Sequence, residues 1–223
     1  MKNGLLIVFF VLSALHLFAI AAGIDVLRYY SKPVLMPLLM ALLYHSSGNR
    51  NSPLRFWWQT GLGFSTLGDI LLMFSGSTFF LAGLASFLLA HLSYIRGMQT
   101  TLSERRGFLL KNPLWIIPFA LFPVLLLVWL WADIPAGMRA PVAIYAMIIS
   151  AMALSVVHLR TFISDAVFAS MLGGALLFML SDSLIAINQF GHAHSYAPLF
   201  IMVTYLAGQF LLVNGVKNLL IEA

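Results

Sequence analysis

Asp69 and Asp182 are the residues best suited to chemistry in this chain, because each stands inside a stretch otherwise apolar enough to cross a membrane. An ionised carboxylate in hydrocarbon is costly, so an acid at that depth marks a functional site by default. Two carboxyl groups shielded from water can divide a proton-transfer reaction between them, one keeping its proton to donate it and the other staying ionised to receive one. Further polar side chains lie in the same kind of apolar surroundings and are candidates for binding a polar ligand: Lys32, Ser65, His91, Tyr94, Tyr145, Tyr205 and Gln209. Ser65 precedes Asp69 by one helical turn and shares its face.

Each of these residues also has a plain structural reading. The aspartates can be paired with Lys32 or Arg28 to hold helices together. Lys32 fits either a phosphate ligand or an interfacial lysine whose amine reaches for water. His91 can be a helix-to-helix hydrogen-bond partner, and the three tyrosines can be packing residues.

The elements that position these groups follow from composition. Hydrophobic residues make up 61% of the chain and charged residues 9%. A span needs roughly 20 apolar residues to cross a core about 30 Å thick. Eight such stretches are expected, at 4–23, 33–45, 55–74, 78–95, 113–131, 140–158, 166–187 and 196–216. The second is short, and Pro33 and Pro37 predict an irregular start with Lys32 at its mouth. Strands are excluded, because backbone in lipid must satisfy itself within helices or a closed barrel and these runs lack a barrel's alternation. The fold class is therefore all-α, a polytopic membrane bundle, and no soluble domain interrupts it, so residues 1–223 are expected to form one transmembrane domain.

Charge sets the orientation. With an even number of spans, one face holds Lys2, Arg50, Arg55, Arg96, Arg105, Arg106, Lys111, Arg160 and Lys217, and the other keeps Arg28, Lys32 and Arg139. Nine basic residues against three predict both termini in the cytoplasm. The net charge of +5 belongs to that surface and implies no nucleic-acid partner. Lys2, an apolar run and Ala19-Ile20-Ala21 share features with a signal peptide, but the run from Leu5 to Ala22 is longer than a usual signal core and reads as the first span. The chain has no cysteine, which removes disulfides and thiol chemistry.

Depth decides which polar groups can meet. Asp69 lies 13 residues beyond Phe56 and Asp182 14 beyond Phe168, so both are expected about 20 Å from the cytoplasmic boundary. Lys32 and Tyr145 approach that level from the outer face, while His91 and Gln209 lie nearer the inner half. A weak echo between Leu67-Gly68-Asp69-Ile70-Leu71 and Leu180-Ser181-Asp182-Ser183-Leu184 makes a parallel duplication conceivable. Gly61, Gly63, Gly173 and Gly174 lie within spans, where small residues let helices approach closely. Trp57-Trp58 and Trp129/Trp131 fall at span ends and are expected in an aromatic belt. His192-Ala193-His194, with His91 or His16 and the aspartates, offers ligands that zinc accepts, although their spacing suits a site poorly.

A succession of short motifs runs through the chain in order: Lys32-Pro33, Gly68-Asp69 with Leu71-Leu72, Phe87-Leu88-Leu89-Ala90-His91-Leu92-Ser93-Tyr94, Pro141-Val142 with Tyr145, Ser181-Asp182, and Tyr205 with Ala207 and Gln209. Together they resemble the YhhN/lysoplasmalogenase family of multispan membrane proteins, with one departure where Gly208 separates Ala207 from Gln209. The resemblance implies a membrane hydrolase that cleaves the vinyl ether of a lysophospholipid, a lysoplasmalogen, to a fatty aldehyde and a glycerophospho-alcohol. It implies membrane lipid as the surroundings and, with the compact loops, a bacterial inner membrane as the location; no cofactor is expected. Protonation of the outer alkene carbon gives an oxocarbenium ion that water captures, so Asp69 and Asp182 are expected as the acid/base pair and the other seven polar residues as substrate-binding. The alternative is a proton-coupled or lipid transporter in which the same acids form a relay.

Overall fold

The structure, a computed structural model, describes residues 2–46, 51–102, 107–191 and 194–222. Among them there are nine α-helices and no strand: α1 (Lys2–Ala21), α2 (Asp25–Ser46), α3 (Pro53–Leu71), α4 (Ser77–Leu102), the short α5 (Phe108–Lys111), α6 (Ile116–Leu130), α7 (Ala136–His158), α8 (Asp165–Phe190) and α9 (Ala197–Glu222). A 3-10 turn at Pro113–Trp115 leads into α6. The eight expected spans correspond in order to the eight long helices. Seven of these are long and apolar enough to cross a membrane. The eighth is α3, whose 19 residues include Arg55, Gln59, Ser65 and Asp69. Apolar side chains such as Ile7 and Val11 on α1 and Val124, Leu125 and Val128 on α6 are more than half exposed. Faces of this kind suit lipid and not water, and the chain is an integral membrane protein.

Several boundaries differ from expectation. α2 begins at Asp25 and carries both prolines inside it, so Lys32 stands in its second turn and not at its mouth. A membrane helix tolerates interior proline because neighbouring helices and hydroxyl side chains satisfy the freed backbone groups. α3 stops at Leu71, where Leu72 N–H closes on the Gly68 carbonyl at 2.9 Å. α4 continues past its expected end at 95 to Leu102, and Arg105 and Arg106 lie outside the described residues, as does Arg50.

The chain divides into two compact units, Met1–Gly97 with Val216–Ala223, and Met98–Gly215. In the first, α1 turns into α2 through Gly23 at φ +68°, with Gly23 N–H on the Ile20 carbonyl (3.3 Å) and Ile24 N–H on the Ala19 carbonyl (2.9 Å). These two bonds close the end of the helix, and the positive φ favours glycine. The core of this unit is built from Leu35, Met36, Leu39, Trp58 and Leu62. In the second unit α7 packs between α6 and α8. Ser164 caps α8 by accepting from Val167 N–H at 3.4 Å, and the core holds Met152, Val156, Met171 and Phe178.

Candidate functional site

In the first unit the chemistry gathers where α2 and α3 face each other. Asp69 lies two residues from the end of α3, where unsatisfied carbonyls make a carboxylate unfavourable. Lys32 on α2 answers it, with Nζ 3.5 Å from Oδ1; the carboxyl side chain is 3% exposed and the lysine 16%. Three residues before Lys32, the Tyr29 hydroxyl donates to the Met73 carbonyl at 3.3 Å and ties α2 to the turn that follows α3. Arg28 instead pairs with the exposed Asp25 at 2.8 Å.

The next face of α3 repeats small residues at Gly61, Ser65 and Gly68, and α4 packs onto it. A methyl group at Gly61 meets the Tyr94 ring, and one at Gly68 comes within 2.6 Å of Phe87, so the glycines set how closely the two helices approach. Ser65 Oγ is 3.4 Å from the Tyr94 hydroxyl. The Tyr94 ring stacks on Trp58 with centroids 4.4 Å apart, and Ser86 Oγ donates to the Phe64 carbonyl at 2.8 Å. His91 is fully buried on α4.

In the second unit Tyr145 on α7 donates its phenolic hydrogen to Asp182 Oδ2 on α8, and both residues are buried. α8 and α9 lie close enough that a methyl group at Gly174 comes 2.7 Å from Leu212 N and 2.8 Å from the Gly208 carbonyl oxygen; one at Gly208 comes 2.9 Å from the Gly174 carbonyl oxygen. Ser170 Oγ donates to the Leu211 carbonyl at 2.8 Å and Ser181 Oγ to the Ile201 carbonyl at 3.1 Å, which fixes the register of the two helices. Tyr205 sits edge-on to Phe178 at 5.4 Å, and Gln209 is fully buried. Gly208, the departure in the last motif, is thus the residue that brings α9 against α8.

Each unit therefore presents one buried aspartate held by a side chain from the preceding or facing helix: Asp69 by a cation, Asp182 by a phenol. Asp69 is 16 residues into α3 and Asp182 17 residues into α8, so both stand about 25 Å along their helices. Ser65 joins Tyr94 in the first unit, and Tyr205 and Gln209 lie on the α9 helix that α8 contacts in the second.

Trp58 corrects one expectation. It is fully buried under Tyr94 and Gly97 and does not belong to an interfacial belt, because α3 turns that face toward α4. Trp129 and Trp131 are exposed as expected, with the Arg139 guanidinium 5.0 Å from the Trp131 ring centre. Among the described residues no group of three His, Asp or Glu side chains is arranged to hold a metal, while His192 of the zinc alternative lies outside them. Sequence reasoning brought Tyr145 to the depth of the acids but missed its pairing with Asp182, because 37 residues separate the partners.

Residues 27–216 match the YhhN family. Proteins named lysoplasmalogenase from Mycobacterium bovis and Mycobacterium tuberculosis are each 29% identical to the chain over 163 residues, which cover 72% of it and 60% of theirs. The human protein named lysoplasmalogenase TMEM86B is 32% identical over 154 residues, 69% of this chain and 60% of its own. The match thus spans less than two thirds of the length of these relatives. No solved structure matches the chain. With its motifs in order and the match running over most of its length, the chain belongs to the YhhN family.

Proposed function

We propose that the chain is an integral membrane hydrolase that cleaves the vinyl ether of lysoplasmalogens, with Asp69 and Asp182 as its acid/base groups. The observation that carries this reading is that both motif aspartates are buried within long helices and each is bonded to a second motif residue, Lys32 or Tyr145. The names of the mycobacterial and human relatives supply the substrate class.

The two partners suggest a division of roles. Asp69 faces the Lys32 ammonium, and it is assigned the role of the base that takes a proton from water. Asp182 faces a neutral phenol instead of a cation, and it is assigned the role of the acid. In the reaction Asp182 gives its proton to the outer alkene carbon, and the double-bond electrons form the new C–H bond. The adjacent carbon becomes an oxocarbenium centre, water adds there while Asp69 takes its proton, and the resulting hemiacetal separates into aldehyde and alcohol. One water is consumed and the proton count is restored when the carboxyls exchange the proton through solvent.

On this reading Lys32, Ser65, His91, Tyr94, Tyr145, Tyr205 and Gln209 bind or position the lysolipid. The chain then works as one functional domain in a bacterial inner membrane, with both termini in the cytoplasm, as the distribution of basic residues supports. Purified protein in detergent, supplied with a lysoplasmalogen, is expected to release fatty aldehyde in the absence of any gradient. No aldehyde in detergent together with substrate movement in sealed vesicles would instead establish the transporter.

A further inference from the structure

α1 is a 20-residue apolar helix with two polar side chains turned inward, Ser13 and His16. They are 7% and 1% exposed, and three residues apart on a helix they share one face with Cβ atoms about 5 Å apart. His16 Nδ1 lies 2.7 Å from Ser31 Oγ on α2. Ser31 has one hydroxyl hydrogen, and its Oγ stands 2.6 Å from the Leu27 carbonyl, which can only accept. The hydrogen therefore goes to Leu27, and Ser31 accepts from His16 Nδ1–H. The same arrangement rules out Ser31 as a nucleophile activated by His16, since its proton points away from the ring.

With Nδ1 protonated, a neutral imidazole leaves Nε2 as a bare acceptor. Nε2 is buried and has no hydrogen-bond partner among the described residues, and the same holds for Ser13 Oγ. Leaving such atoms unsatisfied is costly. A forced acceptor and a hydroxyl one turn apart on a buried face match a ligand that is itself a hydroxyl, donating to Nε2 and accepting from Ser13. Ser31 immediately precedes Lys32, so the His16 ring hangs from the turn of α2 that carries the ion pair to Asp69. Both α1 residues lie before the stretch matched to the family, 27–216, which therefore assigns them no role.

We propose that Ser13 and His16 form a hydroxyl-binding subsite that positions the free glycerol hydroxyl of the lysolipid, an inference that rests on the function proposed above. The feature that distinguishes a lyso substrate from its parent, in which that oxygen carries an acyl chain, is this hydroxyl, so the subsite would select for it.

The test compares a lysoplasmalogen with its counterpart in which the glycerol hydroxyl is replaced by hydrogen, in wild type and in His16→Asn. Asparagine keeps an N–H near the Nδ1 position for Ser31 and removes Nε2. Wild type is expected to favour the hydroxyl substrate about tenfold in kcat/KM, the worth of one neutral hydrogen bond, and His16→Asn to lose that preference. An unchanged preference in the variant, or none in wild type, overturns the subsite; an equal loss on both substrates does so too, because it assigns His16 to water or to packing. If wild type releases aldehyde from neither substrate, the hydrolase reading fails instead. Nitrogen NMR of His16 in the unmodified protein gives an independent readout. Nε2 is expected to be unprotonated and to shift with the hydroxyl lysolipid and not with the deoxy one; a protonated Nε2 overturns the proposal.

Discussion

Lys32 and Asp69 meet at 3.5 Å between α2 and α3, with the carboxylate buried in the last turn of its helix. That end of a helix repels an anion, so the lysine offsets both the burial and the helix field. Replacing Lys32 by Met removes the cation and keeps most of its volume. The variant is expected to lose about 3 kcal/mol of stability, as when one partner of a buried pair is removed. The Lys32→Met/Asp69→Asn double variant should regain much of that loss. Denaturant unfolding in detergent measures both, and a single variant as stable as wild type would remove the ion pair from the account.

The Tyr145 to Asp182 bond predicts a graded response in activity. Asp182→Asn keeps the shape of the side chain but cannot donate a proton to carbon, and aldehyde release should fall by at least about 100-fold. Tyr145→Phe removes only the hydroxyl that holds the carboxyl, and about a tenfold loss is expected. The unfolding midpoint of Asp182→Asn should change little, since the amide oxygen still accepts from Tyr145. A Tyr145→Phe loss as large as that of Asp182→Asn would make the phenol a chemical participant.

Much of this was legible in the chain itself. Eight long helices, their order and the inward placement of both aspartates follow from hydropathy and from the cost of charge in lipid. What was not legible depends on rotation about helix axes. Trp58 reads as a span-end aromatic from its position, and only the packing of α3 on α4 turns it under Tyr94. Lys32 reads as the mouth of a span because proline usually stops a helix, whereas α2 continues through Pro33 and Pro37. Partners such as Tyr145 and Asp182, or His16 and Ser31, are brought together by tertiary packing between different helices, and local spacing carries no trace of them.

If Asp69 and Asp182 serve one reaction, removing both should cost little more than removing either. Independent groups would multiply their losses, whereas groups that act in a single proton-transfer sequence do not. Asp69→Asn, Asp182→Asn and the double variant are therefore expected to show aldehyde release within about a factor of ten of one another. Measurable turnover by either single variant at near wild-type rate would exclude that aspartate from the chemistry.

The α8 to α9 contact separates two neighbouring glycines by position alone. A methyl group at Gly174 lies 2.7 Å from Leu212 N, and one at Gly208 lies 2.9 Å from the Gly174 carbonyl oxygen; both are backbone atoms, which cannot swing aside. At Gly173 the nearest atom is Leu211 Cδ1 at 3.8 Å, an ordinary contact. Gly174→Ala and Gly208→Ala must push the helices apart and strain the Ser170 and Ser181 bonds across them, at a cost of about 1–3 kcal/mol. Gly173→Ala should be neutral or slightly stabilising, since alanine is the better helix former. Thermal unfolding of the three variants in one detergent checks the order, and equal melting points for Gly173→Ala and Gly174→Ala would mean that the two helices do not touch where the glycines place them.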